Sequence, residues 1–275
     1  MLREFSFKLF SILLLCSFVT ASFSQENRQK EFMDCQVKGS VSIYDYNHQR
    51  WFFTDSVDAR RRTLPASTFK MINTCIALET NVIKDENEVI KWDGKTKTFF
   101  GTPIPAWNKD NDLKMAFQNS TIWFYVKLAE RIGRTRYRKW LRRCHYGNDN
   151  LSEKGTDFWN YGRFGISPKE QLLFLKAFYE EKLPFSKRTY EIAKRIMITE
   201  QNSNWTLRSK TGWTKSDGKD IGWYIGYYTT PENTYFFATR LWKDTAAINP
   251  NFALCRKTIT SLVLDSLKKL NKLHD

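Results

Sequence analysis

Residues 208–242 read RSKTGWTKSDGKDIGWYIGYYTTPENTYFFATRLW, and this stretch decides the fold. Three runs rich in aromatic and β-branched residues (208–214, 221–228 and 235–242) read as strands. The groups between them, Ser216-Asp217-Gly218 and Pro231-Glu232-Asn233, are turn formers. Strands joined by such short turns run antiparallel, because a parallel pair needs a crossover of a dozen residues or more. Working outward, residues 37–44 (VKGSVSIY) and 50–54 (RWFFT) form a second hairpin around Tyr46 to Gln49. Residues 68–80 carry Phe69, Ile72, Ile76 and Ala77 at helical spacing, with Pro65 as a start signal. Residues 110–145 and 167–200 read as helical, broken near Gly133, Gly147 and Pro184. From Phe252 onward, Ile259, Leu262, Val263 and Leu267 mark one side of a last amphipathic helix. The order predicts an α+β fold with an α/β/α sandwich-like layering. An antiparallel sheet of about five strands combines the N-terminal hairpin with the C-terminal strands, and a mostly helical region lies between them.

The chain has 275 residues, 41% of them hydrophobic and 27% charged, with 21 Phe, 12 Tyr and 10 Trp. That is ample material for a globular core and excludes a disordered chain. Residues 1–24 stand apart. Arg3 and Lys8 precede the apolar run LFSILLLCSFV (9–19), and the small residues TASFS follow it. This is the layout of a secretory signal peptide, too short to span a bilayer, with cleavage expected after Ser24. The expectation is one domain over residues 25–275, exported across the inner membrane to the periplasm, with no membrane span. Such a compartment permits disulfides, but Cys35, Cys75, Cys144 and Cys255 are too widely spaced to reveal a pairing. Neither they nor His48, His145 and His274 show metal-ligand spacing, so no metal is expected. The net charge of +15 suits anionic substrates or envelope polymers. An exported chain is not expected to meet nucleic acid, and the oligomeric state is left open.

Chemistry concentrates in Ser67-Thr68-Phe69-Lys70. A Ser three residues before a Lys on a helix shares its face, and a Ser at the helix N-terminus meets free N–H groups that favour developing negative charge. An ordinary Lys, with a pKa of roughly 10.4, is no base at neutral pH, but burial among Phe69, Met71 and Ile72 lowers that value. Ser-x-x-Lys recurs at Ser216–Lys219 and Ser266–Lys269, the first in a polar turn and the second on the charged side of the last helix. Only the Ser67 pair joins a helix start to an apolar setting. Ser120-Thr121-Ile122, read as helical, offers a second hydroxyl. On a strand, Lys210-Thr211-Gly212 offers a charge, a hydroxyl and a bare backbone that a substrate can approach. Ser-x-x-Lys with Lys-Thr-Gly is a combination of serine β-lactamases and penicillin-binding proteins.

With Tyr146-Gly147-Asn148, Phe158-Trp159, Lys210-Thr211-Gly212-Trp213 and Arg256 added, nearly the whole mature chain resembles the class D β-lactamases. The resemblance implies hydrolysis of the β-lactam amide through an acyl-enzyme on Ser67. Lys70 would serve as general base in an N6-carboxylated form made with carbon dioxide, with no other cofactor. Trp159 would donate its indole N–H to that group, and Ser120 would relay a proton to the leaving nitrogen. The backbone N–H groups of Ser67 and Trp213 would form the oxyanion hole. Lys210, Thr211 and Arg256 would hold the substrate carboxylate beside Gly212, while Gly147 and Asn148 would shape a supporting loop. Two positions depart from the family pattern: Ile122 stands where Val is usual, lining the substrate site, and Asn160 where Leu is common. A slowly deacylating penicillin-binding or sensor protein shares the acylation residues. A non-enzymatic basic envelope-binding protein would not need them.

Overall fold

The computed structural model describes residues 30–271. The signal peptide expected over residues 1–24 lies outside the described residues. The central sheet contains six strands: β1 (Lys38–Asp45), β2 (Arg50–Phe53), β3 (Ile198–Gln201), β4 (Thr206–Ser216), β5 (Lys219–Thr229) and β6 (Thr234–Asp244). Their order is β2-β1-β6-β5-β4-β3, and every neighbour pair is antiparallel. The two predicted hairpins therefore meet through β1 and β6, with Val41 opposite Thr239 and Ile43 opposite Phe237.

One strand departs from expectation. Ile198–Gln201 was read as the end of a helical stretch, yet it forms the edge strand β3, which makes six strands rather than about five. It pairs with only the first residues of β4, from Thr206 to Arg208, and Ser209 N–H then donates to Met197 O at 3.1 Å. Beyond Ser209 the outer edge of β4 has no strand partner among the described residues, and that open edge borders the functional site.

Side-chain alternation along the sheet feeds two cores, as period-2 geometry requires. Trp223, Ile225 and Tyr227 on β5, with Phe236 and Ala238 on β6, face the helical layer. Tyr224, Phe237 and Leu241 face the last helix. The helical layer comprises α1 (Lys70–Glu79), α2 (Leu113–Gln118), α3 (Ile122–Ile132), α4 (Arg134–Arg143), α5 (Pro168–Tyr179) and α6 (Lys187–Ile196), and α7 (Phe252–Asn271) covers the opposite face. Every residue of α1 from Lys70 to Leu78 is buried, so this helix runs through the core itself. The start of α5 is fixed by a Ser167–Glu170 capping box with Pro168 in its first turn. Among the described residues no helix is long and apolar enough to cross a membrane.

The pairing that cysteine spacing left open is Cys35–Cys255, which spans 220 residues and ties the segment before β1 to the first turn of α7. Cys75 and Cys144 are buried free thiols. Burial pushes Cys75 well above its ordinary value and Cys144 up to about 12, so neither supplies a thiolate near neutral pH.

Candidate active site

The chain enters the site at Pro65, makes one 3-10 turn over Ala66–Phe69 and continues into α1 at Lys70. Ala66 is held at φ +51, a left-handed conformation that costs an L-residue about 1 kcal/mol or more. Its N–H donates to Trp159 O at 3.0 Å, which holds this conformation in place. Ser67 follows immediately and lies at the floor of a cleft of about 190 Å³.

Lys70 is fully buried, and its amine donates to Ser67 Oγ at 3.0 Å. Its Nζ also lies 5.0 Å from the centroid of the Tyr125 ring. Burial lowers the Lys70 pKa to about 7, against an opposing pull from the Asp157 carboxylate. A large neutral fraction therefore exists at neutral pH, and its lone pair can accept the Ser67 proton across the same 3.0 Å. The other two Ser-x-x-Lys pairs have no such setting. Ser216 bonds its neighbour Asp217, and the Ser266 hydroxyl bonds Leu262 O on an exposed helix face.

Ser120 was expected on a helix. It occupies instead the break between α2 and α3, at φ +58. Asn119 and Ser120 carry no Gly or Pro to announce that break, and the apolar spacing runs on across it. The break lets the Ser120 hydroxyl turn into the cleft, where it accepts from Lys210 Nζ at 3.0 Å. Ile122 opens α3 and lines the cleft.

Lys210, Thr211, Gly212 and Trp213 lie on the stretch of β4 that pairs with β5 on one side and is open on its outer edge. Gly212 is required by contact: a Cβ there would fall 2.9 Å from Pro65 O and 3.2 Å from Ser67 N. The edge strand can thus press against the Ser67 turn. Lys210 also donates to Thr211 O at 3.0 Å. Burial, then the positive charges of Lys70, Arg256 and Lys257, hold its pKa well below that of an ordinary lysine. Arg256 reaches over from α7 to donate to Gly212 O, and its Nε donates to Ala253 O at 3.0 Å. Burial brings its pKa to about 10, which leaves it a cation at neutral pH. Trp213 stands edge-on to Phe99 and Phe100, with centroids at 5.8 and 5.5 Å.

Trp159 is wholly buried and stacks on Phe69 at 5.0 Å and 10°. Its Nε1–H has no acceptor among the described residues. An unsatisfied buried donor costs about 1–3 kcal/mol, so this N–H is placed for an acceptor the folded chain does not itself supply. The Tyr146-Gly147-Asn148 segment supports the site from behind. Tyr146 donates to Gln171 at 3.1 Å, Gln171 to Thr68 Oγ1 at 2.9 Å, and Thr68 to Pro65 O at 2.7 Å. A Gly147 Cβ would strike Phe164 at 2.7 Å, and Asn148 brackets the loop by donating to Arg163 O at 2.9 Å.

The structure thus gathers Ser67, Ser120, Ile122, Thr211, Gly212, Trp213 and Arg256 on the cleft, with Lys70, Trp159 and Lys210 buried behind it. Sequence reasoning missed Tyr125 beneath Lys70, Gln171 in the supporting chain, and the wall formed by Phe99, Ile104 and Trp107. It missed Asp157 as well, although the neighbouring Phe158-Trp159 pair marks the place. The Asn160 side chain helps to hold the Asp157 pKa down against burial, and the Asn160 carbonyl accepts from Thr214 Oγ1 at 2.8 Å.

A buried Ser–Lys pair at a helix start, facing an open strand edge with Lys-Thr-Gly, defines a serine acyl-transfer site of the penicillin-recognising type. The penicillin binding protein transpeptidase domain matches residues 25–250. β-Lactamase OXA-2 of Escherichia coli is 35% identical over 238 residues, covering 85% of this chain and 83% of that protein. β-Lactamase OXA-48 of Klebsiella pneumoniae is 37% identical over 219 residues, covering 79% of this chain and 81% of its own length. The crystal structure of a class D β-lactamase from Sebaldella termitidis superposes with a TM-score of 0.83 at 42% identity, covering 88% of this chain and 96% of that one. The chain belongs to the class D β-lactamases, within the penicillin-binding transpeptidase family.

Proposed function

We propose that this protein hydrolyses the amide bond of β-lactams through an acyl-enzyme on Ser67, in the periplasm after removal of residues 1–24. The observation that carries the reading is the Lys70 amine, fully buried and 3.0 Å from Ser67 Oγ. Lys70 takes the hydroxyl proton as Ser67 attacks the lactam carbonyl. Backbone N–H groups of Ser67 and Trp213 receive the developing oxyanion, and Gly212 keeps the two walls close enough to share it. Ser120, held by Lys210, passes a proton to the departing nitrogen. Thr211 and Arg256 hold the substrate carboxylate, Arg256 with a planar fork and Lys210 with a nearby point charge.

The site fits carbon dioxide bound to Lys70. A neutral amine in a dry pocket is the nucleophile that carbon dioxide needs, and the unpaired Trp159 Nε1–H is a ready donor to the carboxylate it creates. When bound, carbon dioxide supplies an anionic base on Lys70 for both acylation and attack by water. Trp159 would orient that base, its ring held in place by stacking on Phe69.

A chromogenic cephalosporin tests the reading directly. The mature protein is expected to turn it over, faster with added bicarbonate, and intact mass spectrometry is expected to trap the acyl group on Ser67. Stoichiometric acylation without turnover would instead assign a sensor or slow penicillin-binding role. Unchanged substrate with no adduct would remove the enzymatic reading.

A further inference from the structure

Arg256 reaches the cleft as a buried cation held by two backbone carbonyls, Ala253 O and Gly212 O, and by no acid among the described residues. A desolvated charge without a counter-ion withdraws toward water unless its backbone is held. The first turn of α7 does the holding, and it is tied at three points. Phe252 lies against the Trp213 ring with centroids 5.1 Å apart, and it fills the space over Gly222, where a Cβ would fall 3.0 Å from its ring. Just before the helix, Asn249 Nδ2 donates to Cys35 O at 2.7 Å. Cys255, the residue next to Arg256, is bonded to Cys35 itself. Cys35 is a fixed post. Its N–H donates to Glu31 O at 3.2 Å, the buried Val37 donates to Phe32 O at 3.0 Å, and β1 begins at Lys38 as an interior strand of the sheet. Successive helix positions project about 100° apart, so a bond at Cys255 resists rotation of the helix about its axis and thereby sets where Arg256 points.

We propose that Cys35 and Cys255 are positioning residues: their bond fixes the first turn of α7 and keeps the Arg256 fork aimed into the cleft at the substrate's carboxylate. The inference rests on the carboxylate-binding role of Arg256 proposed above. Without the bond, the turn is left with the Phe252 packing and the Asn249 hydrogen bond, and the guanidinium gains a route out of its pocket. The reacting pair is anchored elsewhere. Ser67 and Lys70 sit at the start of α1, and Gly212 and Trp213 stay in register with Trp223 and Gly222 on β5. Loss of the bond therefore weakens capture of a carboxylated substrate and leaves the chemical step nearly as fast.

The test is steady-state hydrolysis of a penicillin and of its methyl ester, which lacks the charge, by the full-length mature protein and its Cys35→Ser/Cys255→Ser variant, each with and without Arg256→Ala. In the double-serine variant, KM for the free acid is expected to rise about fivefold with kcat within about twofold, and the ester is expected to be unaffected. On top of Arg256→Ala the same change is expected to add nothing, the non-additivity of groups that act through one another. Dithiothreitol on the folded wild-type protein gives the same comparison without a substitution. Cys35 is only half-buried, and exchange leaves both cysteines as thiols and the reagent as its cyclic disulfide. An equal loss on acid and ester, or one that adds in full to Arg256→Ala, would mark a merely stabilising bond and overturns the proposal. An unchanged KM in both the variant and the reduced protein overturns it too, with the role of Arg256 intact. If Arg256→Ala itself leaves KM for the acid unaltered while hydrolysis persists, the carboxylate role of Arg256 falls and takes this proposal with it.

Discussion

The active site contains two lysine–serine pairs with the same separation. Lys70 Nζ lies 3.0 Å from Ser67 Oγ, and Lys210 Nζ lies 3.0 Å from Ser120 Oγ. Both lysines are buried, and burial lowers both pKa values. What separates them is company. Lys70 has the Tyr125 ring beside it and the pull of the Asp157 carboxylate on it, at the start of a helix whose free N–H groups favour an oxyanion on Ser67. Lys210 is surrounded by cations, bonds a backbone carbonyl, and faces a hydroxyl held in a strained link between two helices. Distance alone does not choose the nucleophile. In the proposed mechanism the first pair forms the bond, and the second moves a proton and holds an anion.

The comparison breaks most visibly at the hydroxyls. Ser67→Ala is expected to lower kcat by about 10⁴-fold or more, because no other group can form the acyl bond. Ser120→Ala is expected to lose about 10²-fold, the scale of one proton-transfer group. Equal losses in steady-state hydrolysis would erase the distinction. The amines come next. Lys70→Ala should abolish turnover and acylation together, whereas Lys210→Ala should raise KM for carboxylated substrates and leave Ser67 able to acylate, as burst kinetics would reveal.

A pH profile sharpens the difference further. Lys70 titrates near 7, so kcat/KM is expected to fall below about pH 7 as the amine takes a proton. The sign for stability agrees. The folded-state pKa lies below the unfolded value, so between about 7 and the ordinary lysine range the unfolded chain binds the extra proton and stability rises with pH. The smallest effect concerns the carboxylate fork. Arg256→Ala is expected to raise KM about tenfold with kcat nearly unchanged, since removing one charge-assisted bond costs roughly 1.5–3 kcal/mol at most. A loss confined to kcat would place Arg256 in the chemical step instead.

Much of this arrangement was legible in the chain. Aromatic runs and turn residues between 208 and 242 announced the antiparallel sheet, and the apolar spacing after Pro65 placed Ser67 at a helix start. Local pattern failed where long-range contact decides. Ile198 to Gln201 is a short edge strand that continues directly from α6, and only pairing with β4 makes it a strand. Ser120 leaves the helix without a breaker residue because Lys210, ninety positions away, supplies the partner that holds it. Asp157 stayed hidden because its pull on the Lys70 amine arises only in the folded chain, which no spacing encodes. Cys35 and Cys255 could not be matched for the same reason, at a separation of 220 residues.

That last bond closes residues 35–255 into a covalent ring. A protease cut in any exposed loop between Cys35 and Cys255 leaves both fragments tethered, with the segment before β1 still joined to α7. Nicked enzyme would run as one species on an unreduced gel and separate only after thiol treatment. Surface cleavage is thereby uncoupled from loss of the molecule.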